Sequence, residues 1–136
     1  MNTRVIEFST KGNTHILNIT PELDRILREE NVRDGILFLS AIGSTGGITT
    51  MEYEPGLEKD LRQTFEQLFP YKTNYAHNST WADDNGHSHL RSSFLKTSSF
   101  VSVTGGKLDL GTWQQVVFID FDTRPRDRRI LVKIVT

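Results

Sequence analysis

The chain of 136 residues contains no cysteine. That absence excludes a disulfide framework, a zinc–thiolate site and a cysteine nucleophile together. No stretch approaches the roughly 20 apolar residues of a membrane-crossing helix, and the start Met1-Asn2-Thr3-Arg4-Val5 has no apolar core of a secretory leader. An excess of either charge is also missing. Sixteen Lys/Arg stand against seventeen Asp/Glu, for a net charge of −1, without the basic excess of a general nucleic-acid binder. The expectation is one soluble cytoplasmic domain, long enough to bury a conventional core, that binds neither nucleic acid nor membrane.

The charge that is present is unevenly placed. Residues 1–70 carry seven Lys/Arg and eleven Asp/Glu, and residues 71–136 carry nine and six. Arg124, Arg126, Arg128 and Arg129 fall within six residues. Such a run at a turn reads first as a solvated face, with contact to a small anion as the functional alternative.

Residues 4–8 and 15–19 read as short strands, and Lys11-Gly12-Asn13 between them predicts a hairpin turn. Thr20-Pro21 marks a helix start, with Thr20 as the capping acceptor and Leu23, Ile26 and Leu27 as its apolar stripe. The run Ile36–Ile42 predicts a buried strand. Gly43-Ser44-Thr45-Gly46-Gly47 separates it from a second strand, Ile48–Met51. Pro55 opens a helix that shows Leu57, Leu61, Phe65 and Leu68 on one face and ends at Phe69-Pro70. Residues 71–86 are polar and without period, and their Tyr71, Tyr75, His77 and Trp81 argue against simple disorder.

Strands follow at 100–104 and 107–110, joined through Gly105-Gly106, then at 113–121 and 129–135. The continuous apolar run Val116-Val117-Phe118-Ile119 predicts burial on both faces, and Trp113 is expected to pack in the core. The sum is an α+β fold with a largely antiparallel sheet and about two to three helices in a single domain, residues 1–136.

Three of the four histidines, His77, His87 and His89, lie near Asp83, Asp84 and Asn85. Imidazole with carboxylate suits a divalent transition metal, zinc above all. On a helix, however, His87 and His89 diverge by about 200°, so only one of them can join His77 there. Hydrogen-bonding or surface histidines are the plainer alternative. Glu52, at the end of a β-rich run, is either a ligand or general base, or a cap for the following helix. Gly43–Gly47 offers free N–H groups to a phosphate but lacks the lysine of a P-loop.

The run Ser98-x-x-Val101-x-Val103-x-x-Gly106-x-x-x-x-Gly111-Thr112-Trp113-Gln114-x-Val116 resembles the signature of the YjbQ-like family, also called the secondary thiamine-phosphate synthase family. Ser9-Thr10-Lys11-Gly12, Phe69-Pro70, Tyr75-x-His77, His89-Leu90-Arg91-x-Ser93 and Arg126-x-Arg128-Arg129 agree with it, so the resemblance spans the chain. It implies a compact α+β protomer of a homotrimer and a transferase activity. That activity joins a hydroxymethylpyrimidine diphosphate to a thiazole phosphate and releases pyrophosphate.

By position the resemblance implies Glu52, His77, His89 and Arg91 as catalytic residues, with Ser44, Thr45, Arg128 and Arg129 as anion contacts. A metal would fall to His77, His89 and His87. Many relatives have a histidine where this chain has Gly43, and His87 is the candidate replacement. Three readings stay open: an enzyme acting on a small phosphorylated molecule, a metal-dependent hydrolase, and a non-catalytic trimeric ligand-binding module with a decayed site.

Overall fold

A computed structural model of the protein describes residues 2–136. Two antiparallel sheets and four helices form three layers. The first sheet has five strands in the order β1 (Asn2–Thr10), β8 (Arg126–Val135), β3 (Gly35–Ala41), β5 (Ser98–Thr104) and β6 (Lys107–Leu108). The second has β2 (His15–Asn18), β7 (Gln114–Asp120) and β4 (Gly46–Glu52). Every pairing in both sheets is antiparallel.

The inward faces of the two sheets meet in the main core. Leu37, Leu39, Val101, Val103, Ile130, Val132 and Ile134 come from the first sheet, and Ile48, Val116 and Phe118 from the second. Helix α1 (Thr20–Glu29) adds Leu23, Ile26 and Leu27 to that core. The outward face of the second sheet is covered in turn. Ile16, Met51, Val117, Ile119 and Phe121 pack against Leu57, Leu61 and Phe65 of α2 (Pro55–Leu68). Central strand β7 therefore lies in the middle layer, which is why Val116, Val117, Phe118 and Ile119 are all buried, as their unbroken apolar run predicts. Each such side chain removed from water contributes roughly 1.5–3 kcal/mol.

Several local expectations are corrected. Lys11-Gly12-Asn13 does not close a hairpin: β1 pairs with β8 and β2 with β7, so the segment carries the chain from one sheet to the other. Gly12, Asn13 and Thr14 all take positive φ (75°, 52° and 62°), a sharper reversal than a two-stranded ribbon needs. Thr20 is not a cap. It is the first helical residue, and its hydroxyl accepts from the Val116 N–H at 2.8 Å, tying α1 to β7. Trp113 is 72% exposed rather than packed. It precedes β7 on a bend held by Gln114, which accepts from the Gly111 N–H and donates to Thr50. The aperiodic stretch holds a short helix, α3 (Ala76–Trp81), before α4 (Gly86–Leu95).

The hairpin at Gly105-Gly106 forms as its residues predict. Both glycines have positive φ (59° and 80°), the conformation a two-residue turn between twisted strands requires.

Candidate functional site

Helix α4 lies across the start of β4, and two serines one turn apart fasten it. Ser88 donates to the Phe121 carbonyl, and Ser92 donates to the Gly46 carbonyl at 2.6 Å. Gly47 permits the approach, since a Cβ there would come within 2.8 Å of Leu95 and 2.9 Å of the Lys96 carbonyl. With that stripe turned inward, the helical repeat sends the neighbouring positions to opposite sides. His87 and Arg91, four residues apart, face inward toward the chain after α2. His89 and Ser93, also four apart, face a surface groove.

Gly43, Ser44, His89, Ser92, Ser93, Lys96, Thr97 and Ser98 line this groove, whose volume is about 420 Å³. His77 joins it from α3, its ring centroid 4.3 Å from that of His89. The corner between α3 and α4 is tight: Asn78 accepts from the Gly86 N–H at 2.8 Å, and a Cβ at Gly86 would strike Tyr75. Of the two amide orientations of Asn85, the one that satisfies its neighbours donates to both Asp83 oxygens and to His77 Nε2, at 3.1–3.2 Å. His77 Nε2 is then an acceptor, which leaves the proton of the neutral ring on Nδ1. Burial, and next the adjacent His77, hold the pKa of His89 below the ordinary imidazole value.

The other expected site residues go elsewhere. His87 is buried edge-on against Tyr71 at 4.6 Å, and burial with the nearby Arg91 charge pushes its pKa down to about 4. Its Nδ1 has no hydrogen-bond partner among the described residues. Arg91 is a buried brace rather than a groove residue. It donates to the Phe69 carbonyl, to Thr14 Oγ1 and to Glu66, locking the end of α2 onto α4. Glu52 is exposed at the far end of β4, six residues and about 20 Å from Gly46 along the strand. One protomer therefore brings together His77, His89 and Ser44, and leaves out Glu52, Arg91 and His87.

The arginine run is only in part the solvated face first expected. Arg124 and Arg129 are exposed, but the Arg128 side chain retains 9% of its accessible surface. It reaches Asp120 in a fork, Nε to Oδ2 at 2.7 Å and Nη2 to Oδ1 at 2.9 Å, and also donates to Thr45 Oγ1. Arg126 pairs with Asp122 at 2.8 Å, and Thr45 donates to the same carboxylate. Thr45 is thus consumed inside the protein and does not face a ligand. The signal that sequence reading missed is Asp120-Phe121-Asp122 closing an apolar strand, followed by Arg126-x-Arg128. The two acids and two bases share a spacing of two.

A zinc ion, which the resemblance implies, does not fit these residues within one protomer. Among the described residues no three His, Asp or Glu side chains gather at metal-binding distance. Position 43 offers no side chain, His87 is turned away, and Asn85 occupies His77 Nε2.

Fold and groove together define a class: a two-sheet α+β sandwich whose sheet junction is crossed by a serine-fastened helix bearing one of two paired imidazoles. The profile of the UPF0047, YjbQ-like proteins matches residues 4–136, and the chain belongs to that family. A UPF0047 protein of Archaeoglobus fulgidus is 35% identical over 94% of this chain and 97% of its own length. YugU of Bacillus subtilis is 29% identical over 97% of this chain and 98% of its own. A hypothetical protein of Aeropyrum pernix superposes with a TM-score of 0.92 at 27% identity, covering 99% of this chain and 98% of its own. A YjbQ/UPF0047 family protein of Clostridium acetobutylicum superposes at 0.84 with 32% identity, over 96% and 99%.

Proposed function

We propose that the groove between α4 and the β3–β4 connection binds a small phosphorylated molecule, and that the protein acts on it as a transferase of the thiamine-phosphate synthase type. The carrying observation is the contact of His77 with His89 at the mouth of a groove lined by Ser44, Ser92, Ser93 and Lys96. The Ser44 hydroxyl, the Lys96 ammonium and the His89 imidazole on one concavity match the needs of a phosphate and of a departing diphosphate, while Ser92 and Ser93 spend their hydroxyl protons on the Gly46 and His89 carbonyls. In that reaction the bond between the pyrimidine methylene carbon and the diphosphate oxygen breaks, the thiazole nitrogen bonds to that carbon, and pyrophosphate leaves. His89 would donate a hydrogen bond or proton to the leaving oxygens, and His77, held by Asn85 and Asp83, would orient His89. Glu52 and Arg91 have no part in this proposal.

Assembly as a homotrimer belongs to the same reading. Its support is the outer face of the five-stranded sheet, which no element among the described residues covers and where Phe38 and Phe100 are 48% and 63% exposed. A solution mass of three protomers is expected, and a monomer contradicts it.

The test of function is turnover of the pyrimidine diphosphate and thiazole phosphate, followed by pyrophosphate release. His77→Ala and His89→Ala should each lower kcat at least tenfold without loss of folding. One observation favours a second reading, a ligand-binding module without catalysis: Gly43 places no third imidazole beside the pair. Saturable phosphate binding with no turnover in the unaltered protein would select it.

A further inference from the structure

Arg128 is engaged through Nε and Nη2, but its Nη1 has no acceptor among the described residues. The side chain is more than nine-tenths buried, and Nη1 belongs to the small part of it that keeps accessible surface. Nη1 lies against Gly43. A Cβ built at that glycine would lie 2.9 Å from Arg128 Nη1, and beyond the adjoining chain no other atom comes within 4 Å of that position. The backbone there has φ +132°, a value that residues with a side chain rarely adopt. With no side chain at position 43, nothing from that residue covers this guanidinium nitrogen.

The sequence neighbours Ile42 and Gly43 line two different cavities. Gly43 lines the histidine groove, and the preceding Ile42 lines a cavity of about 600 Å³ that also includes Ser9, Arg128 and Arg129. Lys96 belongs to the first lining and Arg129 to the second. The second cavity also carries two acids, Glu7 opposite Arg129 on the neighbouring strand and Asp127, whose carboxylate accepts from Ser9. Nη1 requires an acceptor, and the position of Asp120 is fixed by its other bonds.

We propose that Gly43 is a specificity-determining residue whose missing side chain opens Arg128 Nη1 to a ligand oxyanion, so that this chain holds the phosphate of its ligand from the Arg128 side as well as from His89. The inference rests on the phosphate-binding reading of the groove and deepens it. A side chain at position 43 would sit on the donor, its Cβ 2.9 Å from Nη1. Within the ion-pair network Asp120 fixes the guanidinium plane and prepares Nη1 in place, which lowers the ordering cost of binding.

The test uses the intact protein and inorganic phosphate as the probe. Arginine side-chain resonances and backbone amides are followed by nuclear magnetic resonance through a phosphate titration. The expected result is a saturable shift of the Arg128 guanidinium with the same midpoint as the Gly43, Ser44 and His89 signals. Gly43→Ala, checked for folding by its thermal melt, should weaken phosphate about ten- to a hundredfold, the worth of one charged hydrogen bond. The unaltered protein decides the matter even if that variant fails to fold. Saturable shifts at His89 and Ser44 with a silent Arg128 overturn this inference and leave the proposed function standing. A shift at Arg128 that does not saturate overturns it as non-specific ion pairing. Silence at all of these positions overturns both.

Discussion

Replacing Asp120 by Asn tests whether the arginine run is structural. The carboxylate is fully buried and accepts four hydrogen bonds: from Thr10 Oγ1 at 2.6 Å, Arg128 Nε at 2.7 Å, Arg128 Nη2 at 2.9 Å and the Asp122 N–H at 2.9 Å. Asparagine keeps one acceptor oxygen and turns the other position into a donor, which then faces a donor of the Arg128 fork or of its neighbours. The Arg128 charge loses its counterion in a site it cannot leave. Breaking a buried pair from one side costs about 3–5 kcal/mol. With an unfolding entropy of roughly 0.3 kcal/mol per kelvin for a chain of this length, Tm falls by about 10–17 °C. Urea unfolding followed by circular dichroism, with the slope m unchanged, gives the stability difference directly. Glu66→Gln is the control, because Glu66 pairs with Arg91 but its side chain is 57% exposed, and it should cost under about 1 kcal/mol. A loss below about 1 kcal/mol for Asp120→Asn would refute the burial argument.

Arg91→Met should destabilise by about 3 kcal/mol through its lost braces to Phe69, Thr14 and Glu66, yet leave phosphate affinity within about twofold; a selective loss of affinity would return Arg91 to the site. His87, whose pKa falls from 6.5 unfolded to about 4 folded through burial and the Arg91 charge, binds its proton more readily in the unfolded chain. Its contribution is fully present above about pH 6.5 and declines as pH falls toward 4, by roughly 3 kcal/mol in all. Urea midpoints across that range should show the decline, and His87→Phe should flatten it. At lower pH Asp122 takes over: burial opposes its charge, but the Thr123 N–H, Arg126 and Thr45 outweigh it and depress its pKa. Its contribution is therefore present above the ordinary carboxylate pKa and is lost as pH falls through the lower folded value. Gly47→Ala should cost about 1–3 kcal/mol by pushing α4 from β4, whereas Gly105→Ala, with open space around its Cβ position, should cost only about 1 kcal/mol, from its positive φ; equal costs would contradict the packing account.

The layer order was partly legible in the sequence. The unbroken apolar run of β7 declared a strand buried on both faces, and the spacing of Leu57, Leu61 and Phe65 declared a helix with one face to cover. Pairing was not legible. Lys11-Gly12-Asn13 has hairpin composition, but composition does not say which partner each flanking strand finds, and β8 and β7 lie more than a hundred residues further along the chain. Trp113 misled for a related reason: an aromatic beside a buried strand faces the core only if it lies inside the register, and it lies just before it.

In the site, helical geometry correctly separated His87 from His89, but only the fold could say which one meets His77. Arg91 shows the limit of matching by position. Its place in the motif marks it as important, and its contacts show a brace between helices. The buried acids Asp120 and Asp122 were overlooked because a charge count treats all carboxylates alike, while their value here comes from complete burial opposite two arginines.

The most direct test of the central claim, that the groove at His77 and His89 receives a phosphorylated ligand, is a titration of the unaltered protein with pyrophosphate that follows its four imidazoles. The account predicts saturable shifts at His89 and His77, with His15 and the buried His87 unmoved. Equal, unsaturable shifts at all four, or movement at His15 alone, would contradict it.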